Sequence, residues 1–139
     1  MDSIVTINLN EVEDKSNLTP FDAAKYRVSP YARWFNDRCL GWNKDPEYNK
    51  HFLLSQQNYA NELLKARGYI FLNQIYDLLG LPRTRAGQVV GWIYDVNNPL
   101  GDNFIDFGLY NNYNEDFIND YTESVLLDFN VDGMILDRI

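Results

Sequence analysis

Cysteine and histidine are nearly absent: Cys39 and His51 are the only ones in 139 residues. That scarcity excludes an internal disulfide, a thiolate zinc cluster and a zinc site built on several histidines. It leaves a Cys39–His51 dyad as the sole nucleophile arrangement of that kind. Nothing around Cys39 in ARWFNDRCLG points to an activated thiolate, so Cys39 reads as a packing residue and His51 as a surface or capping one. Also missing are a glycine-rich phosphate loop, a nucleophile elbow and a paired metal-histidine motif. The expectation is therefore no enzymatic activity, no catalytic residue, no metal and no cofactor. No run approaches the roughly 20 apolar residues of a membrane span. The opening MDSIVTINLNEVED has acids where a secretory leader carries bases, so a cytoplasmic protein is expected.

Basic residues are missing from one region in particular. The net charge is −8, but up to Gly91 acids and bases nearly balance. Beyond it come Asp95, Asp102, Asp106, Glu115, Asp116, Asp120, Glu123, Asp128, Asp132 and Asp137, against Arg138 alone. Such an asymmetry bears on partners and solubility, not on fold. Apolar residues at 45% exceed what a disordered, highly charged chain carries, so a packed core is expected. The length suits one domain, 1–139.

Residues 1–18 read as an N-terminal segment with a weakly alternating strand at IVTINL and a polar linker. Residues 19–88 read as helical. Thr19-Pro20, Ser29-Pro30 and Asp45-Pro46 are helix starts, with a capping side chain before a proline whose missing N–H is harmless at the first helical position. The second helix is expected to end at Gly41. The third carries Tyr48, Phe52, Tyr59, Leu63 and Leu64 as its apolar stripe and closes at Gly68. Asn73 reads as the cap of a short helix ending at Leu79, with Asp77 as a solvated carboxylate.

After Gly87 the period changes to two. VVGWIY, NFIDFGL and SVLLDFNV read as strands, with a short helix inserted at 114–121. The predicted class is α+β: N-terminal helices packed on an acidic C-terminal antiparallel sheet of three to four strands, residues 89–139.

DFNVDG, residues 128–133, imitates the start of a calcium-binding loop, but its twelfth position is Ile139 and the preceding SVLLDF lacks helical periodicity. A hairpin with a two-residue turn at Asp132-Gly133 is expected instead. It would pair Val131 with Met134, Phe129 with Leu136 and Asp128 with Asp137. The last pair sets two carboxylates opposite one another, where solvent, a cation or a basic partner would offset the repulsion.

The stretch from His51 to Asp95 contains LNQIYDLLG, then Thr84, Gly87 and Gly91-Trp92, and is followed by DNFIDFGLY and LLDFNVDG. In this order it resembles a group of small uncharacterised proteins encoded by phages and prophages of low-GC Gram-positive bacteria. The resemblance covers roughly residues 50 to 137 and transfers no functional residue. It implies a protein of a mobile element, acting in a bacterial cytoplasm or a virion.

The functional expectation follows from charge. Asp102, Asp106, Glu115, Asp116, Asp120, Asp128 and Asp137 form the partner-binding set, attracting the basic surface of a host protein such as a nuclease or RNA-guided effector, with the chain acting as a stoichiometric inhibitor of anti-restriction or anti-CRISPR type. A virion component or assembly factor is the alternative. A second alternative is single-strand nucleic-acid binding through residues 25–44, where Lys25, Arg27, Arg33, Arg38 and Lys44 alternate with Tyr26, Tyr31, Trp34 and Trp42. Against it, those aromatics at helical spacing belong to a core, and the net charge repels polyanions.

Overall fold

The computed structural model describes residues 18–115 and 124–139. The strand and linker expected before Asn17 and most of the helix expected at 114–121 lie outside them. The architecture is α+β. Helix α1 (Pro20–Tyr26) starts where the Thr19 hydroxyl accepts the Asp22 N–H at 3.0 Å. Strand β1 (Arg33–Phe35) follows, then the long helix α2 (Pro46–Arg67), strand β2 (Tyr69–Phe71), helix α3 (Leu72–Leu79), and strands β3 (Val90–Ile93), β4 (Val125–Leu127) and β5 (Gly133–Met134).

The strands form two small antiparallel sheets. One pairs β1 with β4, setting Trp34 opposite Leu126; the other has the order β2-β3-β5, with Ile70 opposite Trp92 and Gly91 opposite Gly133. The expected single C-terminal sheet is thus corrected: each sheet takes one strand, β1 or β2, from the part of the chain expected to be helical. The shared core holds Phe35, Leu53, Leu64, Ile70, Tyr76, Trp92, Phe107 and Phe129. Phe129 meets Tyr76 and Phe107 edge-on, at 5.7 and 5.5 Å between centroids.

Local punctuation explains where the helices begin and end. Asp45 accepts the Glu47 N–H at 3.0 Å with Pro46 in the first turn, and Gly68 takes the left-handed conformation at φ 86°, donating to Leu64 O. For α3 the cap is not Asn73. Gln74 Oε1 accepts the Phe71 N–H at 2.9 Å, the returning half of a capping box. Asn73 lies inside the helix, nearly buried, and holds both the N–H and the C=O of Thr84 at 2.9 Å.

Three further expectations are corrected. Residues 30–40 do not form a helix. Arg33–Phe35 pair with Leu127–Val125 instead, because β4 supplies backbone partners and a wholly buried face that a helix there would leave uncovered. NFIDFGL is not a strand, although Ile105, Phe107 and Leu109 are buried as its alternation requires. Side chains of α2 take the place of a neighbouring strand: Asn61 accepts the Ile105 N–H at 2.7 Å and donates to its C=O at 2.9 Å, and Gln57 accepts the Phe107 N–H at 2.8 Å.

The third correction concerns the Asp132-Gly133 hairpin. Its turn type needs positive φ at both residues, and of the two only Gly133 has it. β4 and β5 pair with β1 and β3 rather than with each other, so Asp128 does not face Asp137 across a ladder.

The inner face of α2 also differs from its apolar stripe. Asn49, Leu53, Ala60 and Leu64 are buried, whereas Tyr48 and Tyr59 are about half exposed at 49% and 51%. The inward row at helical spacing includes Asn49, Gln57 and Asn61, polar residues whose amides bind backbone. Burying Leu53 and Leu64 contributes roughly 1.5–3 kcal/mol each.

Candidate functional site

Among the described residues, the acids of the last third do not line a sheet face. Those acids lie outside the strands, and Asp95, Asp106, Asp128 and Asp132 accept backbone N–H groups. Asn130 is the centre of this region. Its Oδ1 accepts the Trp92 Nε1–H at 2.9 Å and the Asp106 N–H at 2.8 Å, while its Nδ2 donates to Asp102 Oδ2 and to Phe104 O, both at 3.0 Å. One side chain therefore fixes Asp102, Phe104 and Asp106 against the buried Trp92.

Asp106 is half-buried, and its Oδ1 accepts the Gly108 N–H at 2.8 Å in a local turn. Asp128, also half-buried, accepts the Ser29 N–H at 3.2 Å and so ties the last third to the segment before β1. Both act on Tyr113: burial first of all raises its phenol pKa, hydrogen bonding from Asn111 opposes this, and the charges of Asp128 and Asp106 add to the rise. Glu115 and Asp137 are exposed, the first directly after the 3-10 turn at 112–114 and the second within the one at 136–138. Asp116 and Asp120 lie outside the described residues. Of the expected set, Asp102 and Asp106 thus meet at Asn130, and Asp106 and Asp128 meet at Tyr113.

Asp132 belongs to the same region and carries the most constrained carboxylate there. Its Oδ2 accepts the Ile93 N–H at 3.0 Å and its Oδ1 lies against Gly101, where a β-carbon would collide with it. Partial burial raises its pKa above the ordinary aspartate value; the Ile93 N–H lowers it, the neighbouring Asp102 charge raises it, and the Asp102 N–H lowers it.

Asp128, Asn130 and Asp132, the alternating oxygens that imitate a calcium loop, therefore address three different partners. Among the described residues no group of three or more His, Cys, Asp or Glu side chains converges on a metal-sized space. The alternation signals instead a segment whose short polar side chains bind backbone at every second position. Asn130 as the hub was missed because its partners lie 24 to 38 residues away.

Elsewhere, Cys39 is buried with Sγ 3.7 Å from Trp34 O, and His51 is exposed beside Glu47 at 3.8 Å. The thiol and imidazole thus face different surroundings. In the 25–44 stretch Trp34 donates to Asp22 at 3.0 Å and Tyr26 stacks edge-on against Trp34 and Tyr113, so these rings face one another. Asp77 forms a two-pronged ion pair with Arg83 at 2.9 and 2.6 Å. An open groove of about 220 Å³ between α2 and α3 is lined by Tyr59, Leu63, Gln74 and Leu78.

The recognisable residues after LNQIYDLLG have packing reasons. Thr84 is held by Asn73 and accepts the Gly87 N–H at 3.0 Å; a β-carbon on Gly87 would strike Asn73 Oδ1, and one on Gly91 would strike Ile70 O. Among the described residues no helix is long and apolar enough to cross a membrane.

No curated protein and no solved structure matches the chain. A family model does, over residues 3–139. The chain belongs to DUF6353, a family of unknown function.

Proposed function

We propose that the chain is a non-enzymatic interaction protein that binds a basic protein surface through its acidic loops. The observation that carries this reading is uncompensated charge. Among the described residues the ion pairs within 4 Å are Glu47–His51 and Asp77–Arg83. Asp102, Asp106, Glu115, Asp128 and Asp137 have no such pair there. A carboxylate accepting one or two N–H bonds keeps its charge and further acceptor capacity. Phe104, Tyr110 and Val96 are exposed at 46, 64 and 65% within the same stretch, which has no lysine or arginine between Trp92 and Asp137. Exposed aromatics among charges of one sign suit a protein interface, where rings anchor and charges steer.

In the mobile-element setting implied by the resemblance, the partner is a host nucleic-acid-handling protein, and the acids occupy the place of phosphates. Affinity capture from a bacterial lysate at low and at high salt tests this. The reading requires a basic, nucleic-acid-handling partner that is released by salt and by D102N/E115Q/D137N, three changes at exposed positions. Equal capture by that variant overturns it.

A further inference from the structure

Helix α2 has two faces, and the core uses one of them. Leu53, Ala60 and Leu64 are fully buried. On the opposite side of the helix Tyr48, Ser55, Tyr59 and Ala66 are exposed. Their separations of seven, four and seven residues keep them on one line, the repeat of a seam between two helices. Tyr48 is held in place there: its ring stacks on Phe52 at 6.3 Å, and Phe52 stacks on the buried Phe35 at 6.0 Å. Helical spacing marks Tyr48 and Tyr59 as part of the apolar stripe of α2, yet the fold leaves both half in solvent.

We propose that this face pairs with the same face of a second copy, so that the protein forms a two-fold dimer through antiparallel α2 helices. The face is complementary to itself about the middle of the helix. Because α2 runs from Pro46 to Arg67, about 33 Å, antiparallel copies that overlap end to end centre between Gln56 and Gln57. In that register, to within one residue, Tyr48 falls opposite the partner's Ala66 and Ser55 opposite the partner's Tyr59. A ring thus meets a small side chain at each layer. Antiparallel mating also brings like edge to like edge, and along one edge lie the exposed Glu47, His51, Glu62 and Lys65. Glu47 falls opposite the partner's Lys65, and His51 opposite the partner's Glu62, a donor facing a carboxylate both times. Two-fold symmetry makes each pairing twice. The helix carries Glu47 and Glu62 against Lys50, Lys65 and Arg67, so the excess acid of the chain does not oppose contact here. The groove along Tyr59, Leu63 and Leu78 lies toward the Ala66 end and gives the partner's Tyr48 a concave seat.

Sedimentation equilibrium of the intact protein tests this, with circular dichroism to show that each variant is folded. The expected result is a reversible monomer–dimer equilibrium. E47K and K65E each set like charges opposite one another twice and should weaken it by about tenfold. E47K also removes the contact of Glu47 with His51 in its own helix, so the paired reversal decides: E47K/K65E should return the affinity to within about threefold of the parent. Ser55 is exposed, so S55W leaves the single chain folded but drives an indole into the partner's Tyr59, and only monomer is expected. A parent that stays monomeric up to about 1 mM overturns the pairing and leaves the face to a different protein. A dimer indifferent to S55W, or one that the double reversal fails to restore, is built on another surface and overturns it as well. None of these readouts involves a basic partner, so this test stands apart from that of the acidic loops.

Discussion

Asn61 grips both backbone groups of Ile105, accepting its N–H at 2.7 Å and donating to its C=O at 2.9 Å across 44 residues of sequence. The same two-handed contact recurs. Asn73 holds Thr84, Asn49 holds Asn43 at 2.8 and 2.7 Å, and Asn114 holds Leu126 at 2.9 and 2.8 Å. A side-chain amide presents one donor and one acceptor with the spacing of a peptide group. Each of these asparagines therefore does for one residue what a paired strand does for many.

Replacing Asn61 with alanine leaves the N–H and C=O of Ile105 without that partner beside a fully buried side chain. The expected cost is about 2–4 kcal/mol, two backbone groups at roughly 1–2 each. Chemical denaturation of N61A measures it; a change under about 0.5 kcal/mol would mean that water replaces the amide at no cost.

Asn114 separates shape from donor capacity. N114D keeps the size and can still accept the Leu126 N–H, but an ionised carboxylate has no hydrogen to give Leu126 O or Gly108 O. At neutral pH N114D should therefore be destabilised by at least as much as N114A, by about 2 kcal/mol or more. Thermal unfolding compares the two, and a near-native N114D would contradict the role assigned to the amide.

Gly91 and Gly87 admit no β-carbon without movement of Ile70 O and Asn73 Oδ1 respectively. G91A pushes backbone against backbone in the middle strand of the β2-β3-β5 sheet, and a cost of about 3 kcal/mol or more is expected. G87A meets a side-chain amide that can turn, at the expense of its bonds to Thr84, and should cost about 1–3 kcal/mol. Circular dichroism melts should rank G91A below G87A.

Asp132 makes a signed prediction for pH. Its pKa in the fold lies above the ordinary value, chiefly through burial. The contribution of this group to stability is therefore fully present below about 3.9 and is lost as pH rises through the folded value. D132N keeps an oxygen for the Ile93 N–H and carries no charge. It should match the parent in acid and gain on it as pH rises through that window. Denaturation midpoints of both proteins across pH 3–7 decide this; a D132N advantage that grows toward acid would reverse the sign and refute it.

The sequence by itself determined the class, the start and end of α2 and the charge asymmetry. Asp45-Pro46 and Gly68 act within one helical turn, and a count of acids needs no coordinates. It also marked Ile105, Phe107 and Leu109 as buried, because alternation records burial whatever the backbone binds. The tertiary structure alone decided what satisfies that backbone. Residues 103–107 alternate like a strand, yet their partners include side-chain amides of α2 and of Asn130, and β1 is a strand only because β4 arrives from 90 residues away. For the same reason α2 hides its inner face from a hydrophobicity pattern: Asn49, Gln57 and Asn61 point inward to bind peptide groups. Whether a buried peptide group is met by another strand, a side-chain amide or a carboxylate such as Asp132 depends on which distant segment packs there, and no local pattern encodes that choice.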